Sequence, residues 1–185
     1  MARYRFGFEG DLGARHAGAG HAVKLDGIGK SRADDHRSVS RIPAIDAGSA
    51  YVHDISSGTP TVPTATLNNP GPASENRFGY SVAISGTRVV VGAGGANLGS
   101  AGTVSAYVYD LGSGTLAVPV TTLNNPVHSY GLPKVAISGS RVVVGDYYSE
   151  RAHVYDLNSG IPAMPVTSLK KSASASDWFG ASVAM

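Results

Sequence analysis

The sequence predicts an all-β chain made of consecutive four-stranded antiparallel sheets, and three observations predict it. A 21-residue motif occurs three times, and a second motif interleaves with it. The composition is low in charge, with 24 Gly and 10 Pro among many Val, Thr, Ser and Tyr, which favours strands and turns over helices.

The first motif occupies residues 50–70, then 106–126 as AYVYDLGSGTLAVPVTTLNNP, then 152–172 as AHVYDLNSGIPAMPVTSLKKS, with starts 56 and 46 residues apart. The second reads FGYSVAISGTRVVVGA over residues 78–93 and YGLPKVAISGSRVVVGD over residues 130–146. A third start, FGASVAM, covers residues 179–185.

Each full period resolves into four strands. The first is expected near residues 81–85, followed by a tight turn at Gly86-Thr87. The second is expected near 88–93, and a Gly-rich loop leads to the third, near 104–111. The turn Gly112-Ser113-Gly114 leads to the fourth, near 117–123, and Asn124-Asn125-Pro126 ends the unit because Pro cannot extend a hydrogen-bonded ladder. The runs Val89-Val90-Val91 and Val142-Val143-Val144 are continuously apolar, whereas a sheet with one wet face alternates. Burial on both faces, with four strands in a period of roughly 45–55 residues, predicts β-propeller blades.

The expected division is a half blade at residues 46–70, a blade at 76–126, a blade at 129–172 and the start of another at 177–185. Propellers close with about 4–8 blades, so the sequence reads as an incomplete propeller, a fragment of a longer product or of a degraded gene. Its missing blades are expected partners. Residues 1–45 carry none of the repeat vocabulary and read as an irregular or disordered arm, or as an out-of-frame segment. The basic excess sits there, with eight Lys/Arg against five Asp/Glu over residues 1–41 and seven against eight over 42–185. The repeat region therefore has no nucleic-acid footprint. Cys is absent, which excludes disulfides and thiolate metal sites. No apolar run approaches the roughly 20 residues of a membrane span, so no membrane insertion is expected, and no signal peptide is visible.

Phe78-Gly79 followed by Val89-Val90-Val91-Gly92-Ala93-Gly94 resembles the FG-GAP repeat, which builds the propeller of integrin alpha chains and of many bacterial surface and secreted proteins. The segment Ala106-Tyr107-Val108-Tyr109 resembles its third strand. The likeness covers roughly residues 46–185. It implies an extracellular, cell-surface or periplasmic location. Many such repeats hold calcium between strands one and two. Here that connection is Ser85-Gly86-Thr87 or Ser138-Gly139-Ser140, with no carboxylate and too short to supply about 6–8 oxygens, so no metal and no cofactor is expected.

Other candidate chemistry reads as structure. Gly92-Ala93-Gly94-Gly95 looks like a dinucleotide turn, but no helical period follows to receive a pyrophosphate. His53 aligns with Tyr109 and Tyr155, and His153 with Tyr51 and Tyr107, as strand-filling positions, while His128 stands alone in a loop. Asp54, Asp110 and Asp156 recur before Ser-Gly-type turns, where a carboxylate accepts from the turn backbone. No triad and no carboxylate pair stands out, so no catalytic residue is assigned. The connection between strands two and three lies on the ligand-binding face of integrin-like propellers. That resemblance makes Asn97, Tyr147 and Tyr148 the candidate binding residues, with packing between blades as the competing role. The expected function is a non-enzymatic module for protein or glycan interaction in a secreted or surface protein. The alternatives are a propeller attached to an absent catalytic domain and a truncated product without function.

Overall fold

The structure, a computed structural model, describes residues 21–24, 48–71, 76–94, 105–115, 118–127, 131–172 and 178–185. These are all-β, with no helix among them. β4 (Ser81–Ser85), β5 (Arg88–Ala93), β6 (Ser105–Asp110) and β7 (Thr121–Asn124) form one four-stranded sheet in chain order. β8 (Lys134–Ser138), β9 (Arg141–Asp146), β10 (Arg151–Asp156) and β11 (Thr167–Lys170) form a second. A three-stranded sheet precedes them, made of β1 (His21–Lys24), β2 (Ser49–Asp54) and β3 (Ala65–Asn68). Every pairing is antiparallel.

Register repeats from sheet to sheet. Arg88 pairs with Asp110 and Arg141 with Asp156, and in the first sheet His21 pairs with Asp54. β1 thus takes the second-strand position beside β2, although its HAVK sequence shares no motif with the other second strands. The Asp of each third strand turns the chain. Its Oδ1 accepts from the N–H of Ser56, Gly112 or Asn158 at 2.9, 2.9 and 3.0 Å. The fourth strand is shorter than the sequence predicts, starting at Thr121. Val118 N–H is used in a turn to Thr115 O, and Pro119 has no N–H to give, so the ladder resumes only where Val120 N–H reaches Val108 O at 2.7 Å. Thr64 and Val166 make the same bond to Val52 and Val154.

The central sheet explains the continuous valine runs. Val82, Ile84, Val89, Val91 and Tyr109 join Ala50, Val52 and Leu67 of the first sheet in one core. Ala83, Val90, Ala106, Val108 and Leu123 join Val135, Ile137, Val142, Val144 and Tyr155 of the third in another. Successive valines enter opposite cores because side chains alternate across a strand. The sheets are therefore stacked, blade-like layers. On the third sheet, Leu169 is 49% exposed, while its counterparts Leu67 and Leu123 are buried by the following sheet.

Polar contacts fix this stacking. Tyr109 hydroxyl donates to Asn68 O at 2.9 Å, and Tyr155 hydroxyl to Asn124 O at 2.7 Å, so each third-strand Tyr clamps the Leu-Asn-Asn end of the preceding sheet. Ser81 Oγ and Ser85 Oγ accept from Val135 N–H and Gly139 N–H, both at 3.0 Å. Gly92 and Gly145 sit where the next repeat approaches. A Cβ on Gly92 would lie 2.9 Å from Pro133 Cγ, and one on Gly145 would collide with the Gly180 carbonyl. The first turn of that next approach is itself repeated. Tyr80 N–H donates to Arg77 O at 3.0 Å and Ala181 N–H to Trp178 O at 2.9 Å, with Arg77 and Trp178 both at positive φ, 47° and 65°.

Removing a clamp hydroxyl leaves the ring's packing and deletes one buried hydrogen bond, worth about 1 kcal/mol. Tyr109→Phe and Tyr155→Phe are each expected to lower stability by about that amount. Chemical denaturation checks this, with a lower midpoint and an unchanged slope as the expected result.

Candidate functional site

The connection from β9 to β10 is a four-residue turn, Tyr147-Tyr148-Ser149-Glu150, anchored by a buried acid. Asp146 is fully buried, and its Oδ2 accepts from Asn125 Nδ2 at 2.9 Å and from Ser149 Oγ at 2.7 Å. Its Oδ1 accepts from Ser149 N–H at 3.4 Å, and Glu150 N–H closes the turn on Tyr147 O at 3.4 Å. Asn125 belongs to the preceding repeat, so the same contact that joins two sheets also stiffens this turn.

Tyr147 and Tyr148 are brought together with a residue that the sequence reading does not single out. Trp178 stacks on Tyr147, with ring centroids 5.6 Å apart and planes at 15°. Tyr148 leans on Tyr147 at 4.6 Å and 41°. Tyr147 is half-buried, while Tyr148 is 62% and Trp178 67% exposed. Burial, and after it the neighbouring Tyr148, pushes the Tyr147 phenol above its ordinary value, so it stays a neutral donor. Tyr80 is near enough to add to that shift, and its ring carries Lys134 Nζ 4.5 Å from the centroid. Tyr147, Tyr148 and Trp178 form one aromatic surface. Asn97 lies outside the described residues, as do His128 and the continuation of the Gly-rich segment beyond Gly94.

The repeat alignment contains the signal for Trp178. By position in the repeat it matches Arg77 and Ser129, and Tyr147 matches Gly94. The shared turn at 77–80 and 178–181 makes the correspondence structural.

Among the described residues, the His53 and His153 side chains have partners outside this surface. His53 Nδ1 is 3.2 Å from Pro60 O. His153 is fully buried, with Nδ1 2.7 Å from Ser168 Oγ and Nε2 without a hydrogen-bond partner among the described residues. Burial lowers its pKa, partly offset by Asp146, and Arg151 lowers it further. Among the described residues no group of three or more His, Cys, Asp or Glu side chains is placed to hold a metal ion. Nor do the described residues contain a helix long and apolar enough to cross a membrane.

Sequential four-stranded antiparallel sheets, stacked face to face with their loops at the sheet ends, define a β-propeller-type repeat protein. Within it, residues 63–109 match the family described as FG-GAP repeat. The matched stretch runs from the fourth strand of one sheet to the third strand of the next, and so contains a junction. No curated protein matches the chain. Among solved structures, one described as "Structure of Dos1 propeller" is similar, with a TM-score of 0.48 and 16% identity over 69% of this chain. The chain spans 28% of the length of that one.

A depressed His153 pKa has a defined sign. The unfolded chain binds a proton near the ordinary histidine value of about 6.5, and the folded chain binds it only at lower pH. His153 therefore contributes stability that is present above that value and lost as pH falls through and below it. His153→Gln is expected to reduce the fall in melting temperature between about pH 7.5 and 5.0. Thermal melts of both proteins across that range check this, and an equal fall in both would contradict it.

Proposed function

We propose that this chain is a non-enzymatic interaction module of a secreted or surface-exposed protein, and that Tyr147, Tyr148 and Trp178 form its contact surface for protein or glycan. One observation carries the reading. Two repeats share a backbone turn that starts at Arg77 in one and at Trp178 in the other, and the position of Tyr147 is taken by Gly94 in the preceding sheet. The stacking of sheets does not require aromatic rings there. Exposed Trp and Tyr on a stiff turn are the side chains that most often dominate binding energy. The FG-GAP repeat and the blade architecture agree with a repeat module that presents loops for interaction.

Arrays of glycans and of unstructured peptides, probed with the labelled chain, test this. Tyr148→Ala and Trp178→Ala are each expected to reduce binding at the retained features about tenfold, as for an interface residue worth about 1.4 kcal/mol. The bound ligands are expected to remain chemically unchanged. Equal signals from the variants and the parent chain would contradict the assignment of this surface.

A further inference from the structure

We propose that the Tyr147, Tyr148 and Trp178 surface binds neutral glycans by stacking on equatorially substituted pyranose rings, as in a β-1,4-linked glucan or chitin oligomer. The inference rests on that surface being the chain's contact surface and goes on to name its ligand chemistry.

Trp178 is braced on one face by Tyr147 at 5.6 Å and 15° and remains 67% exposed. Tyr148, at 62% exposure, adds a second accessible ring inclined to the first. An aromatic face carries partial negative charge. A pyranose with equatorial hydroxyls keeps its polar groups in the ring plane and points weakly positive axial C–H bonds from each face, so the two surfaces are complementary in shape and charge. A β-1,4 linkage repeats such faces along a flat ribbon, and two neighbouring rings can engage neighbouring sugars.

Two features select this class over other partners of aromatic surfaces. Proline-rich peptides dock into aromatic-lined grooves, whereas Tyr147 and Trp178 touch face to face and leave no slot between them. A globular partner needs about 800 Å² on each side, and two exposed rings of about 150–250 Å² each fall short of that.

The sequence contains a single tryptophan, so Trp178 emission reports on this surface alone. The chain is titrated with cellohexaose, chitohexaose and, separately, a decaproline peptide, each to about 10 mM, tenfold above a millimolar dissociation constant. Either hexasaccharide is expected to shift Trp178 emission to shorter wavelength and to reduce its quenching by acrylamide. In calorimetry, Tyr148→Ala and Trp178→Ala are expected to weaken binding at least tenfold with unchanged melting curves, and Trp178→Phe to retain part of it. Absence of a response to both hexasaccharides would overturn the glycan inference. If decaproline then bound and Trp178→Ala abolished it, the contact-surface reading would stand without the glycan. Hexasaccharide binding that survives both alanine variants would remove the ligand from this surface and overturn the inference as well.

Discussion

The contact between one sheet and the next is the constraint on which the other features depend. Gly48 and Gly92 are points of close approach, where the following repeat, at Phe78 and at Pro133, leaves no room for a Cβ. Around each point, apolar side chains from two sheets merge into a single core, and a Tyr hydroxyl reaches across to the carbonyl of an Asn. A lone four-stranded sheet would expose one or both of its apolar faces. Stacking gives the central sheet two cores, and it lets a strand be apolar at every position. The architecture is therefore held by nearest-neighbour contacts, as expected of repeat arrays, in which each unit depends on the ones beside it.

The candidate site follows from the same contact. Asp146 lies at the end of a second strand and is held by Asn125 from the preceding repeat. The turn it anchors carries Tyr147 and Tyr148, and the docking of Gly180 against Gly145 delivers Trp178 to the same place. Three aromatic rings from segments about thirty residues apart meet because the junction sets their positions. Their identities vary from repeat to repeat, with Arg77 and Ser129 at the position of Trp178 and Gly94 at that of Tyr147. This separation between a conserved geometry and variable side chains is what allows a repeat scaffold to acquire a binding surface without altering its core.

Much of this arrangement is legible in the sequence because it repeats. The interleaved motifs place the strands, Val89-Val90-Val91 announces burial on both faces, and Asp110 before its turn announces the carboxylate that accepts from Gly112. Tyr147 and Tyr148 stand out as a bulky pair in a short connection. Trp178 does not, since its partners are distant in the chain and only the turn shared with residues 77–80 reveals where it points. The fourth strand is misjudged at its start because apolar Val118 and Val120 look strand-like while Pro119 withholds a donor. β1 has no motif to betray it, since its pairing with β2 is expressed in backbone register and not in side-chain pattern.

The central claim is that the sheets are stabilised jointly by their junctions. The most direct test is amide hydrogen exchange, residue by residue, in the chain carrying Gly92→Ala. The substitution puts a methyl group against Pro133 of the third sheet, an overpacking cost of about 1–3 kcal/mol. If the junction couples the sheets, protection falls together at Val90 in the central sheet and at Val142 in the third, because both amides open through the same cooperative event. Loss of protection at Val90, with Val142 unchanged, would show that the sheets stand independently and would contradict the account.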